Sequence, residues 1–523
     1  MLASSTGEIV WLSQTANWYW TRAFRSPITV AMMAAALWLS ILLPIARTGP
    51  LPGAPPQPST SVPRFERSAC PVDVVPDEAI DCGVLTVREN RRKADSRAIR
   101  LPVMIFRTRA AAPAPDPVLF VPGGPGVSAV AGRKSAQGNI LLEDRDFIVL
   151  EPRGARHAQP ALECPATNAL KGEIAAGRLR GRAALARAAA ECRANLTASG
   201  VDLDGYRTEA LADDIEDLRK ALGYDKWNLL GLSYGTRVVL TVLRRHPSGV
   251  RSVVLDSVLP PDVNFDEVAT ANLQRALNMV FDGCVIDRDC SAAYPDLRRR
   301  FADLIARADN DPLPLGLHAA GRPTEIRGAE VVSAIYVALH SRQMIPHIPR
   351  IISSAADGHY KELTPLVSNN QGGSSMAWGL RYSVWCADEA SFERADRIAG
   401  QVSPDLGLGG IDEGTASPGE CTAWNVAPAP AIENEPVKSD VPALIFAGEF
   451  DPDTPPDWGR QLLETMPNAV YVELRGGTHG AGFSSCGGEI TMAFLRPPGS
   501  PLPIECALEL RGADFGLSAR PQR

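Results

Sequence analysis

The chain has 523 residues with 53 Lys+Arg against 60 Asp+Glu, a net charge of −7, and 45% hydrophobic residues. That apolar share excludes a disordered protein. The mild acidity argues against nucleic acid as a main partner, because a phosphate-binding surface needs clustered positive charge.

Arg22 and Arg25 precede an uncharged apolar run, Ile28–Ala46, and Arg47 follows it. The run approaches the roughly 20 residues that span a bilayer and exceeds the h-region of an ordinary signal. Pro44 spoils the small-x-small pattern for cleavage after Ala46. A cleaved signal peptide and an uncleaved membrane anchor are therefore both open for residues 1–46, and either exports the remainder. Pro50, Pro52, Pro55, Pro56 and Pro58 then mark residues 47–69 as a semi-extended tether. The folded part is expected from about Cys70.

Export decides how the ten cysteines read. They are Cys70, Cys82, Cys164, Cys192, Cys284, Cys290, Cys386, Cys421, Cys486 and Cys506. No C-x-x-C occurs and none stands at zinc-finger spacing from a histidine, which disfavours a metal site. In an oxidising compartment disulfides are the default. Spacing alone leaves the connectivity open. Pairing of neighbours is the expected pattern, with separations of 12, 28, 6, 35 and 20 residues.

Past the tether, Cys82–Asn90 and Ala98–Arg107 read as a β-hairpin. The short apolar run Val118–Val121 ends in Pro122-Gly123-Gly124-Pro125-Gly126, and Phe147–Leu150 ends in Glu151-Pro152-Arg153-Gly154. Ala166–Ala198 has helical composition. Thr208–Leu222 carries Leu211, Ile215, Leu218 and Leu222 at helical period. Strand Trp227–Leu232, a helix ending before His246-Pro247 and strand Arg251–Val258 follow. Strands alternating with helices imply a mostly parallel sheet covered on both faces. From Asp262 to Asp440 the pattern is mainly helical, over Phe265–Phe281, Pro295–Ala308, Ala329–Ser341 and Met376–Asp388. The alternation then resumes with strand Ala443–Ala447, helix Pro456–Glu464 and strand Val470–Leu474. The expected division is a core over 70–261 and 441–523, interrupted by a mainly helical cap over 262–440.

The strongest chemical signal is Gly231-Leu232-Ser233-Tyr234-Gly235, set between an apolar strand and an amphipathic helix. A tight strand-to-helix turn lifts the serine hydroxyl above the sheet and places it at a helix N-terminus. A serine is otherwise a weak nucleophile and needs a base oriented by a carboxylate. His479, in Gly476-Gly477-Thr478-His479-Gly480, is the one histidine after the cap. Asp451 stands first after its strand and is the favoured acid, with Asp453 its competitor and otherwise a turn residue. An oxyanion hole needs two convergent N–H groups, expected from Tyr234 and from Gly124 in the glycine-rich loop. No phosphate-binding G-x-G-x-x-G or Gly-Lys-Ser/Thr follows that loop. His157 could line the site; His246, His318, His340, His347 and His359 read as ordinary structural histidines.

These motifs recur in one order: Gly123–Gly126, Glu151–Gly154, Gly231–Thr236, the Arg251–Asp256 strand, Gly448–Pro452 and Gly477–Gly480. Together they resemble exported α/β-hydrolases of the tripeptidyl aminopeptidase and prolyl aminopeptidase (proline iminopeptidase) group, over nearly all of Cys70–Leu508. The resemblance implies an α/β-hydrolase fold, small peptide substrates cut from a free N-terminus, and neither metal nor cofactor. It implies a Ser233–Asp451–His479 triad with Gly124 and Tyr234 as oxyanion donors. Two positions depart from many relatives: Pro122 replaces a histidine, and Glu151 replaces an aspartate. An aminopeptidase must also hold an ammonium, for which Asp388, Glu389 and Glu449 are the carboxylate candidates. A carboxylesterase on the same scaffold, or a binding module that has kept it, are the alternatives.

Overall fold

The computed structural model describes residues 62–516 apart from 77, 136–137, 176–181, 316–317, 320–321, 324–325, 371–375, 404–407, 410–417 and 497–500. The expected export segment, residues 1–46, lies outside the described residues. Among the described residues no helix is long and apolar enough to cross a membrane.

Nine strands build one sheet. They are β1 (Arg64–Arg67), β2 (Ile80–Arg88), β3 (Ala98–Phe106), β4 (Val118–Val121), β5 (Phe147–Leu150), β6 (Trp227–Leu232), β7 (Val250–Asp256), β8 (Ala443–Gly448) and β9 (Ala469–Leu474). The order is β1-β2-β3-β5-β4-β6-β7-β8-β9. The first three pairings are antiparallel and the other five parallel. Strand β1 corrects one expectation, since Arg64–Arg67 already forms a strand before Cys70. Arg64–Arg67 pairs with Gly83–Thr86 and caps an edge that the tether would otherwise leave open.

The parallel strands other than the edge strand β9 are short and largely buried on both faces, which is why they read as apolar runs. Adjacent residues point to opposite sides. Leu119, Leu229 and Val253 lie in register across β4, β6 and β7 and join the main core. Phe120, Leu230 and Val254, one residue on, join the core of the opposite face.

The insertion behaves as two parts. Helices Ala269–Ile286, Leu297–Asn310, Gly328–Leu339 and Ile348–Ala356 share a separate apolar core around Leu277, Phe281, Phe301 and Ile335. The returning segment instead packs into the main core of the sheet, through Trp378, Tyr382, Trp385 and Trp424. A single helical cap over 262–440 is therefore too simple a description. The stretch from Trp378 packs as part of the hydrolase core, where its aromatic residues are buried.

All five disulfides join sequence neighbours: Cys70–Cys82, Cys164–Cys192, Cys284–Cys290, Cys386–Cys421 and Cys486–Cys506. Bonds of this number belong to an oxidising compartment.

Candidate active site

Parallel strands direct their C-terminal ends to one edge of the sheet, and the loops there carry every motif identified in the sequence. Gly123–Gly126 leaves β4, Ser233 leaves β6, Asp451 follows β8 and His479 follows β9.

Ser233 adopts φ 56°, ψ −128°, a conformation rarely taken by a residue with a side chain. The glycines on either side have a steric reason. A Cβ on Gly235 would meet the Val121 carbonyl at 2.3 Å, and one on Gly231 would meet the Gly235 carbonyl at 2.8 Å. Ser233 donates its backbone N–H to the Asp256 carbonyl (3.0 Å), which fixes the turn against β7. The glycine loop lies directly against it, as a Cβ on Gly123 would sit 3.0 Å from Ser233 Cβ. Neither the Gly124 nor the Tyr234 N–H donates to another described residue, so both remain available to an oxyanion.

His479 Nδ1 lies 2.9 Å from Asp451 Oδ2 and 3.1 Å from Oδ1. Asp451 is fully buried. Its Oδ1 also accepts the N–H groups of Asp453 and Thr454 (both 2.9 Å), and its Oδ2 accepts the Thr454 hydroxyl at 2.7 Å. Burial would raise this carboxyl, but the adjacent His479 outweighs it and holds Asp451 below its ordinary range. Burial likewise pulls His479 down, and the charges of Asp451, Asp453 and Asp256 more than reverse this, lifting it to about 9.

Asp453 takes a different task. Its Oδ2 lies 3.9 Å from His479 Nδ1 and 3.0 Å from His340 Nε2, while Oδ1 accepts the Tyr336 hydroxyl at 2.5 Å. His340, read from sequence as an ordinary cap histidine, thus stands beside the site with its ring 5.8 Å from that of His479. Asp451, Asp453 and His479 also place oxygen and nitrogen atoms within 4.8 Å of one another. Each of these carboxylate oxygens already accepts from, or faces, a protein donor, so the set reads as a hydrogen-bonded acid and base rather than a metal cradle.

The loop carrying His479 is clamped from several sides. Gly480 N–H donates to Ser257 Oγ (2.8 Å) and Gly482 N–H to Asp256 Oδ2 (3.0 Å). Thr478 donates to the Leu339 carbonyl of the cap. Burial pushes the Asp256 carboxyl up to about 7, with His479 opposing and Asp451 reinforcing the shift. Thr454, Asp256, Ser257 and His340 were not singled out by sequence. Thr454, three residues after an aspartate at a strand end, carried a legible turn signature; the others meet the site only through tertiary packing.

The carboxylates expected to bind an ammonium each contact protein groups around the site. Asp388 Oδ2 accepts the Thr208 N–H (2.8 Å) and hydroxyl (2.6 Å), and that hydroxyl meets the Tyr234 hydroxyl at 2.8 Å. Glu389 pairs with Arg237 of the elbow helix and accepts the Phe265 N–H. Glu449 accepts the Gly476 N–H at 2.6 Å and so braces the histidine loop. All three thus contact groups that frame the site, while Asp388 Oδ1 is buried without a partner. Glu151 is also a brace: its carboxylate gathers Ser128, Ala129, Val130 and the His157 N–H.

Arg237 and Glu389 are both essentially excluded from water. Removing one leaves the other charge buried and unpaired, so Arg237→Met is expected to cost about 3–5 kcal/mol of stability. Urea unfolding of the purified protein measures this, and a loss below about 1 kcal/mol would mean that the pair is dispensable.

A profile described as alpha/beta hydrolase fold matches residues 116–284, and one described as TAP-like protein matches residues 412–505. The serine protease Hip1 of Mycobacterium tuberculosis is 24% identical over 469 residues, covering 82% of this chain and 87% of that protein. The tripeptidyl aminopeptidase of Streptomyces lividans is 26% identical over 449 residues, covering 79% and 80%. Carboxylesterase B of Mycobacterium tuberculosis is 27% identical over 546 residues, covering 92% and 99%. With the parallel sheet and the serine at its elbow, these similarities identify the chain as a hydrolytic enzyme of the α/β-hydrolases, in their tripeptidyl-aminopeptidase-like group.

Proposed function

We propose that this chain is an exported serine aminopeptidase that releases short N-terminal units from peptides. The observation that carries the catalytic part is the short contact of His479 Nδ1 with the buried carboxylate of Asp451. Because Nδ1 is occupied, Nε2 is the nitrogen left to serve Ser233. Ser233 Oγ attacks the scissile carbonyl as its proton passes to His479. The oxyanion that forms is met by the N–H groups of Gly124 and Tyr234 at the start of the elbow helix. His479 then gives the proton to the leaving amine, and a water activated by the same base hydrolyses the acyl-enzyme.

The N-terminal cut is supported by the TAP-like profile over residues 412–505 and the tripeptidyl aminopeptidase relative. Five disulfides support an extracytoplasmic location. A carboxylesterase is the second reading, favoured by the relative of that name, of which the chain covers 99%. The deciding assay compares a tripeptidyl arylamide, its N-acetylated form and a simple aryl ester. The peptidase is expected to cleave the free-amine arylamide well above the acetylated one. Turnover of the ester without either arylamide would leave the esterase reading.

A further inference from the structure

Helix Trp378–Asp388 is buried along its whole length and yet carries an arginine. Among the described residues five arginines are buried: Arg145, Arg153, Arg207, Arg237 and Arg381. Four are answered by the fold. Arg153 pairs with Asp214 at 2.6 Å, Arg145 with Asp116 at 3.2 Å, Arg237 with Glu389, and Arg207 donates to the Ala427 carbonyl at 3.1 Å. Arg381 is the exception. It is only 6% exposed, its Nε is buried without an acceptor, and its side chain makes neither an ion pair nor a hydrogen bond with a described residue. A buried guanidinium is costly, and each of the other four has at least one ion pair or hydrogen bond to offset that cost, whereas Arg381 has neither.

Its position gives the reason. The helix begins at the glycine loop, where Ala377 N–H donates to the Gly126 carbonyl at 2.9 Å. Two indoles wall the guanidinium, whose central carbon is 4.8 Å from the Trp385 ring centre and 5.8 Å from that of Trp378. The acids on its far side are already engaged. Asp266 accepts Trp385 Nε1 at 2.9 Å, and Asp453 is held by Tyr336 and His340. Burial draws the group down to about 10, against the influence of Asp266, Tyr336, Tyr382 and Asp453, so it remains a cation at neutral pH. Arg381 thus stands one turn into a helix that starts at the glycine loop beside Ser233, within the electrostatic influence of Asp453, and its guanidinium has no hydrogen bond or ion pair with a described residue.

We propose that Arg381 is a specificity-determining residue of the cleft: its planar fork receives a carboxylate of the bound substrate, with Trp378 and Trp385 holding the guanidinium in place. The inference rests on the reading of Ser233 as the nucleophile, and it makes the preferred substrates ones with a carboxylate near the scissile bond. That carboxylate comes either from an acidic side chain or from the free C-terminus of a short peptide.

Matched pairs of substrates for the full chain distinguish these sources. Ala-Ala-Glu 4-nitroanilide against Ala-Ala-Gln 4-nitroanilide reads the side chain. Tetra-alanine against its C-terminal amide reads the terminus. Mono-(4-nitrophenyl) succinate against 4-nitrophenyl butyrate reads the same preference in an ester. Wild type is expected to favour the carboxylate-bearing member of at least one pair by about 10- to 100-fold in kcat/KM. R381M is expected to bring that ratio close to one, and R381K to retain part of it. R381Q replaces R381M if the latter is not labelled by a fluorophosphonate at Ser233. A preference confined to the ester pair, with no peptide cleaved, would uphold Arg381 and remove the peptidase reading. Absence of preference in all three pairs, or equal losses on both members in R381M and R381Q, would overturn the proposal.

Discussion

Ser233→Ala is expected to lower kcat by about 10⁶-fold while leaving the fold intact. The side chain adds little to packing, since it is only partly buried at the tip of the elbow. The backbone strain at φ 56° is held by Gly231, Gly235 and the bond from Ser233 N–H to Asp256, none of which the substitution touches. Alanine tolerates this conformation no worse than serine, so the thermal midpoint should stay within a few degrees of wild type. The measurement is steady-state turnover with parallel fluorophosphonate labelling. Retention of more than about 1% of activity in the variant would place the nucleophile elsewhere.

Asp451→Asn is expected to lower kcat by about 10⁴-fold at every pH, because the amide no longer selects the tautomer that leaves Nε2 free. Asp453→Asn should behave differently. His479 acts as a base only when deprotonated, so kcat/KM is expected to rise with pH toward about 9 in the wild type. Asp453 is one of the charges that keep His479 protonated. Removing that charge should move the rising limb to lower pH by roughly one unit, with kcat on the alkaline plateau reduced far less than in D451N. The pH profiles of the two variants separate orienting acid from neighbouring charge. A 10⁴-fold loss in D453N with a mere shift in D451N would exchange their roles.

The distinction between these two aspartates also shows what could be read in advance. Asp451 and Asp453 both follow the same strand, and sequence favoured the first only by its position. The structure gives His479 Nδ1 to Asp451 at 2.9 Å and leaves Asp453 at 3.9 Å, where Tyr336 and His340 claim it. Those two residues come from the cap, and no local pattern links a cap helix to a loop more than a hundred residues later. Asp388 and Glu389 had partners that were hidden for the same reason. Beside Cys386 they looked like a fixed acidic loop, and only packing reveals Arg237 and Thr208 waiting for them.

By itself the sequence determined what is local or repeated along the chain. The inner parallel strands were visible as apolar runs and the elbow as a serine between glycines. Each of these depends on forces acting within a few residues. Tertiary structure decided what depends on the path of the chain through space. It showed that the chain from Trp378 packs into the core, that Asp388 and Glu389 meet Thr208 and Arg237, and that His340 stands at the site. Among the described residues it also left Arg381 as the one buried arginine with neither an ion pair nor a hydrogen bond. Whether a buried charge is answered cannot be read locally, because its partner arrives from a distant element and burial sets the cost if none does.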